Sequence, residues 1–324
     1  MKASKPNIYI ADKIEENGIG ILKKLSYNVI TLYGFNNNEL IKKISHLDKN
    51  SNSISALVIR SVRTIQKFEL DEIVSKTGIR CIVTASSGYD NINYRYAKKL
   101  KMKIINVPDG NFISAAEHTM ALILAIFKHV CSSSNDMEPD DFKKSEYTNN
   151  ELYQKKIGII GVGRVGSHLA KLCKAFKMDV YGNDIKTHLA KQYPWIHFCG
   201  LNALARTCDI ITVHTPLDES TVNLIDVKLI KQMRSGAVLI NCARGGIINE
   251  NALIENLKRK KICYAGIDVF VNEPVINKGF GGLKNVLLTP HQAGKTVESR
   301  IRISKLLAER LHRELVNLLK KKKT

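Results

Sequence analysis

The run Gly161-Val-Gly163-Arg-Val-Gly166 constrains this chain more than any other stretch. By itself the pattern G-x-G-x-x-G is weak, but its surroundings are specific. It directly follows an apolar, strand-like run at 157–160 and opens a helical pattern over 165–176. A second strand pattern ends at Asn183-Asp184, which puts an acidic residue 18 positions after Gly166. That is the order of a strand–helix–strand unit that holds a dinucleotide. Gly161 permits the tight turn, Gly163 lets backbone approach a pyrophosphate, and Gly166 allows close packing of helix on strand. The free N–H groups of the helix N-terminus then face phosphate charge. Asp184 would accept hydrogen bonds from both ribose hydroxyls and would repel a 2′-phosphate. The pattern therefore predicts NAD rather than NADP.

Short apolar runs alternate with helical stretches along nearly the whole chain, which predicts parallel α/β architecture. In the first third the strands are expected at 7–11, 28–32, 56–59, 81–85 and 103–106, with helices such as 13–25 and 94–100 between them. Five strands in this order make a flavodoxin-like unit. Ser114, with Glu117 three residues on, reads as a capping-box start for the apolar helix that follows. Residues 131–150 lose periodicity and read as a linker, part of which could pack as a helix–loop excursion. Six further strands, at 156–160, 179–183, 210–213, 237–241, 264–269 and 286–288, predict a second, larger doubly wound unit. The last helical pattern, 295–319, is long enough to return to the first unit and make it discontinuous.

Three segments fall where strands of the second unit should end, the place where open α/β sheets hold ligands. They are Asn241-Cys-Ala-Arg244-Gly-Gly-Ile-Ile-Asn249, Asp268-Val-Phe-Val-Asn-Glu273-Pro274 and Thr289-Pro290-His291-Gln-Ala-Gly294. An arginine suits fork-like binding of a carboxylate. A histidine suits proton exchange with a hydroxyl, and an acid beside it can hold the imidazole in place. Singly, Arg244, Glu273 and His291 also fit a surface cation, a solvated acid and a turn histidine. Together they form a working set for 2-hydroxy acid chemistry. His118 lies on the apolar helix and reads as a packed, hydrogen-bonded residue, not a catalytic one.

These segments, with Gly161–Gly166 and Val213-His-Thr-Pro-Leu217, resemble the D-isomer-specific 2-hydroxyacid dehydrogenases over essentially the entire chain. Ile59-Arg60-Ser61, Ser87-Gly88-Tyr-Asp90-Asn91 and the stretch 111–119 resemble the phosphoglycerate dehydrogenase branch most. The resemblance implies a flavodoxin-like substrate domain of residues 1–112 and 296–324, a Rossmann NAD domain of residues 113–295, and a cleft between them. It implies that Arg244 binds the substrate carboxylate, that His291 is the acid/base and that Glu273 holds His291. It assigns cofactor contacts to Arg164, Val165, Asp184, His214, Thr215, Pro216, Cys242, Ala243, Asp268, Ser87, Ala293 and Gly294, besides the three fingerprint glycines. Arg60, Ser61, Gly88 and Asn106 become substrate contacts. The implied reaction oxidises 3-phospho-D-glycerate to 3-phosphohydroxypyruvate, the first step of serine synthesis, in a cytoplasmic homodimer. A glyoxylate or hydroxypyruvate reductase, or an NAD-sensing corepressor-like binding protein, would share the same triad. Formate dehydrogenases fit less well, having Gln where Glu273 stands.

One departure bears on the substrate. Many members of that branch carry an arginine at the position of Thr84, and its loss would weaken phosphate binding unless Arg63 or a lysine replaces it. The chain also ends soon after the dehydrogenase core, so a serine-sensing C-terminal domain and its feedback are not expected. Seven cysteines without a C-x-x-C pair fit neither a disulfide framework nor a zinc site, and no metal is expected. Lys and Arg total 50 against 30 acids, a net charge of +20. Such a charge would attract nucleic acid or anionic membrane, but the basic residues are mostly lysines and scattered. Only the C-terminal stretch concentrates them, and Lys320–Lys323 reads first as a solvated tail, with binding of an acidic partner as the alternative.

Overall fold

The computed structural model describes residues 6–48, 54–137 and 147–321. The chain divides into two compact units, 1–111 with 295–324, and 112–294. The first holds β1 (Asn7–Ile10), α1 (Glu16–Lys24), β2 (Asn28–Thr31), α2 (Asn37–Asp48), β3 (Ser55–Ile59), α3 (Lys67–Lys76), β4 (Ile79–Thr84), α4 (Tyr94–Lys99) and β5 (Lys103–Ile105). Its sheet has the order β2-β1-β3-β4-β5, with every pairing parallel. Parallel strands covered on both faces read as continuous apolar runs, which is why they stood out in the sequence. Tyr9, Leu57 and Ile59 point to the side of α2 and α3. Ile8, Ile10, Ala56 and Val58 point to the other, where Ile19 and Leu22 of α1 meet Leu307, Leu311 and Leu315. Those leucines belong to the last helix, α12 (Val297–Lys321), which returns the C-terminal segment to this unit. Each such fully buried leucine is worth about 2 kcal/mol of stability.

The second unit runs through α5 (Phe112–Phe127), α6 (Val130–Asn135), β6 (Lys156–Ile160), α7 (Arg164–Ala175), β7 (Asp179–Asn183), α8 (Leu189–Gln192), β8 (His197–Phe198) and α9 (Leu201–Thr207). It continues through β9 (Ile210–Val213), α10 (Val227–Gln232), β10 (Ala237–Asn241), α11 (Glu250–Lys258), β11 (Ile262–Ile267) and β12 (Val286–Leu288). The seven-stranded order is β12-β11-β10-β9-β6-β7-β8, again all parallel. Chain direction around β6 and β9 reverses the winding, the switch point at which such sheets bind dinucleotides. Leu239 faces the α9–α11 layer and Val238 and Ile240 face the α5–α7 layer. No described helix is long and apolar enough to cross a membrane.

Within the stretch 131–150, residues 131–135 continue α6, the helical excursion allowed for part of it; 138–146 lie outside the described residues. Two expectations need correction. Ser114 does not cap α5, because the helix begins at Phe112, whose ring packs edge-on against His168 of α7 with centroids 5.6 Å apart. Ser114 is thus a buried residue of the first turn. The second sheet has a seventh strand, the two-residue edge β8, too short to carry any periodicity.

Candidate active site

In each unit the expected site residues gather at the carboxyl ends of the strands. In the second unit, Gly161 to Gly166 follow β6, and Asp184 follows β7. His214, Thr215 and Pro216 follow β9, Cys242 to Arg244 follow β10, Asp268 follows β11, and His291 to Gly294 follow β12. In the first unit, Arg60 and Ser61 follow β3, Ser87 and Gly88 follow β4, and Asn106 follows β5.

The fingerprint turn is shaped by close backbone approach. Gly161 has φ 89°, and a Cβ there would lie 2.7 Å from the His214 carbonyl oxygen. A Cβ on Gly166 would lie 2.1 Å from the Gly161 carbonyl oxygen. Neither position admits a side chain. Asp184 fastens the turn, its carboxylate accepting the Val162 N–H at 2.8 Å and the Lys186 N–H at 2.8 Å. Two features fit a bound dinucleotide. Gly163, at the N-cap of α7, has no atom within 4 Å of where its Cβ would stand, so the space above the helix N-terminus is open to a ligand. Near Gly161, Thr215 Oγ1 is buried with no hydrogen-bond partner, a costly state that a ligand polar group would relieve. Its neighbour His214 bonds Thr212 Oγ1 at 2.9 Å, and burial pushes its pKa down to about 4, so the ring is neutral near pH 7.

The candidate catalytic segments are held as tightly. Asn241, 2% exposed, closes an Asx turn: its Oδ1 accepts the Ala243 N–H at 3.0 Å and its Nδ2 donates to the Arg244 carbonyl at 2.9 Å. The arginine thereby projects from a fixed turn, with Nη1 donating to the Ala243 carbonyl at 2.7 Å. Sequence reading named Arg244 but not the asparagine that fixes it, although Asn before a turn is itself the signal. Glu273 accepts the Phe270 N–H on Oε1 at 3.0 Å and faces His291 Nδ1 with Oε2 at 2.6 Å. A carboxylate only accepts, so Nδ1 carries a proton and Nε2 is left as the atom that exchanges one. The His291 side chain is 47% exposed, open to a reactant. Its backbone is left-handed at φ 48°, held by its N–H donating to the Asp268 carbonyl at 2.8 Å and the Thr289 carbonyl at 3.0 Å. Asp268, assigned to the cofactor by resemblance, is fully buried, and its carboxylate binds the segment that carries His291.

The first unit settles one question about cations. Arg63 does not stand in for the arginine missing at Thr84. Its guanidinium forks onto Asp12 with Nε at 3.1 Å and Nη2 at 2.9 Å, and it also donates to Asn37 Oδ1 and the Phe35 carbonyl. Only 11% of its side chain is exposed. Asp12 also takes the Arg60 N–H at 2.9 Å, and Asn91 donates to the carbonyls of Arg60 and Arg63, so Arg63 and Asn91 brace the turn that presents Arg60. Thr84 is fully buried and bonds Ser86 Oγ at 2.7 Å, while Ser86 donates to the Gly88 carbonyl. Asn106 donates to the Ser87 carbonyl at 2.6 Å, tying the ends of β4 and β5 together.

Comparison with known proteins agrees with this architecture. Residues 120–293 match the family model described as the NAD binding domain of D-isomer specific 2-hydroxyacid dehydrogenases. A D-3-phosphoglycerate dehydrogenase of Methanocaldococcus jannaschii is 33% identical over 310 residues, covering 95% of this chain and 57% of that protein. The chain spans about half the length of the phosphoglycerate dehydrogenases it matches. A hydroxypyruvate reductase of Thermotoga maritima is 31% identical over 314 residues, covering 95% of this chain and 98% of that protein. Among solved structures, an acyclic imino acid reductase in complex with NADPH and D-arginine superposes with a TM-score of 0.81, at 26% identity, covering 96% and 97% of the two chains.

Proposed function

This chain belongs to the D-isomer specific 2-hydroxyacid dehydrogenases and carries their NAD-binding domain, and on that premise we propose that it interconverts a small, unphosphorylated D-2-hydroxy acid and its 2-keto acid. The observation that carries the reading is the Glu273–His291 pair, with Nε2 free to exchange a proton, on strand ends next to the clamped Arg244 turn. NAD, when bound, supplies or accepts the hydride at C2. Gly161, Gly163 and Gly166 with the α7 N-terminus hold its pyrophosphate, and Asp184 holds its adenosine ribose. Arg244 binds the substrate carboxylate and meets the charge that grows on the carbonyl oxygen during reduction. His291 gives that oxygen its proton in reduction and removes it in oxidation, while Glu273 keeps the ring aimed.

The presence or absence of a phosphate on the substrate divides two readings. A buried Thr84 and a committed Arg63 favour an unphosphorylated keto acid such as hydroxypyruvate or glyoxylate. The relatives named D-3-phosphoglycerate dehydrogenase favour 3-phosphohydroxypyruvate, with Arg60 or a lysine as the phosphate's cation. Steady-state oxidation of NADH against both sets decides it. Hydroxypyruvate or glyoxylate is expected to match or exceed 3-phosphohydroxypyruvate in kcat/KM, and NADH to exceed NADPH. A clear advantage for the phosphorylated acid would select the second reading. Tight NADH binding with no turnover of any 2-keto acid would overturn both, in favour of a corepressor-like binding protein.

A further inference from the structure

Two consecutive residues of α5 reach two different strand ends. His118 Nε2 lies 3.1 Å from Thr289 Oγ1 and 3.6 Å from Asp268 Oδ1. Thr289 stands two residues before His291. Thr119 is fully buried and hydrogen-bonds the Cys242 side chain, and Cys242 stands two residues before Arg244. We propose that α5 is the positioning element of the active site: His118 fixes the His291 segment through Thr289 and Asp268, and Thr119 fixes the Arg244 turn through Cys242. The proposal rests on the roles given above to His291 and Arg244.

The direction of each hydrogen bond follows from counting protons. Asp268 is a buried carboxylate and only accepts. It takes Thr289 Oγ1–H at 2.6 Å and the Gln292 N–H at 2.9 Å on Oδ1, and the Ala293 N–H at 2.9 Å on Oδ2. Since the one Thr289 proton goes to Asp268, its oxygen must accept from His118, whose Nε2 is therefore protonated. The relay runs imidazole to hydroxyl to carboxylate, and the carboxylate grips the backbone on the far side of His291. The carbonyl of the same aspartate takes the His291 N–H, so residues 289–293 are pinned around one buried residue. On the other branch, Thr119 donates its proton to the Ala115 carbonyl at 2.8 Å, so the Cys242 thiol donates to Thr119. Burial pushes that thiol up to about 12, which keeps the donor proton in place. The two branches meet where the Asp268 N–H donates to the Asn241 carbonyl at 2.9 Å. Both catalytic side chains thus take their register from a single helix.

The test removes hydroxyls while keeping shape. Thr289→Val is expected to lower kcat by about 10- to 100-fold, the scale of a small misplacement of a reacting group, with NADH Kd unchanged. Thr289→Ser, which keeps the hydroxyl, is expected to restore most of it. His118→Leu is expected to fall with Thr289→Val, and His118→Gln, which keeps an N–H at that reach, to recover. Thr119→Val is expected to raise KM for the keto acid, and Thr119→Ser to reverse that. A second readout does not depend on turnover: in ¹H–¹⁵N imidazole spectra, the His291 signal, identified by its loss in His291→Asn, should move in Thr289→Val and return in Thr289→Ser. Wild-type kcat with an unmoved His291 signal in Thr289→Val would overturn the proposal, as would a loss that appears wholly in NADH affinity. A moved signal in a protein without turnover would uphold the relay and fail the function.

Discussion

His291→Asn is expected to reduce turnover by about 10²- to 10⁴-fold, the usual contribution of a positioned acid/base, while NADH binds as in the wild-type protein. The loss follows from one atom. Glu273 takes the Nδ1 proton of His291, and the ring leaves Nε2 outward on a half-exposed side chain. Asparagine can keep the contact with Glu273 but puts no titratable nitrogen where Nε2 stood. NADH affinity survives because the fingerprint turn, Asp184 and Thr215 lie after β6, β7 and β9, whereas His291 follows β12. Glu273→Gln is expected to fall less, since an amide oxygen still accepts from Nδ1. Stopped-flow absorbance for the chemical step and fluorescence titration for NADH separate the two effects. Turnover retained in His291→Asn would exclude it as the acid/base.

The second large effect is expected from a single added methyl. A Cβ on Gly245 would stand 1.9 Å from the Phe270 carbonyl oxygen, 2.1 Å from its carbon and 2.6 Å from the Val271 nitrogen. All three are backbone atoms, so the contact cannot be relieved by turning a side chain. Gly245 follows Arg244 directly, and Phe270 donates its N–H to Glu273. Alanine therefore pushes the Arg244 turn and the Glu273 loop apart. Overpacking of this kind costs about 1–3 kcal/mol of stability. Displacement by about 1 Å costs roughly 10²-fold in rate. Gly245→Ala is accordingly expected to lose kcat/KM by about that factor or more and to melt earlier. Gly163→Ala provides the contrast. Nothing lies within 4 Å of its Cβ position, so it should melt as wild type and lose NADH affinity instead. Equal kcat/KM for Gly245→Ala and wild type would show that the two loops are not coupled.

How much of this was readable from residues depends on how local each feature is. The fingerprint and eleven of the twelve strands sit in short windows whose periodicity is dictated by burial, and they stood out. The ends of β4 and β11 moved by a residue or two, as strand ends do. The two-residue β8 carried no pattern to find. The segments that carry Arg244, Glu273 and His291 were legible because each follows a strand of the second unit. The residues that hold them were not. Arg63 looked like a spare cation because its partners Asp12, Phe35 and Asn37 are 51, 28 and 26 positions away, and only the fold brings them together. His118 and Thr289 are 171 positions apart. The sequence motifs mark the groups proposed to react; the contacts that hold them are long-range.

The net charge of +20 acquires a narrower meaning in this light. Arg244 is the cation the proposed chemistry uses, and several others are committed inside the fold. Arg63 forks onto Asp12, Arg302 donates to the Gly110 carbonyl, and Arg310 pairs with Asp109. A positive field still speeds capture of an anionic substrate at low salt. It does not choose which anion.

Transfer of label from NADH deuterated at both C4 positions to a 2-keto acid tests the central claim most directly, because it reads the hydride itself. The protein is incubated with the deuteride and hydroxypyruvate or glyoxylate, and the product is examined by NMR; for hydroxypyruvate its enantiomer is resolved as well. Deuterium bonded to C2 of the 2-hydroxy acid, and for hydroxypyruvate the D enantiomer alone, is the expected result. Product of L configuration, product without deuterium at C2, or no product from any 2-keto acid while NADH binds would contradict it.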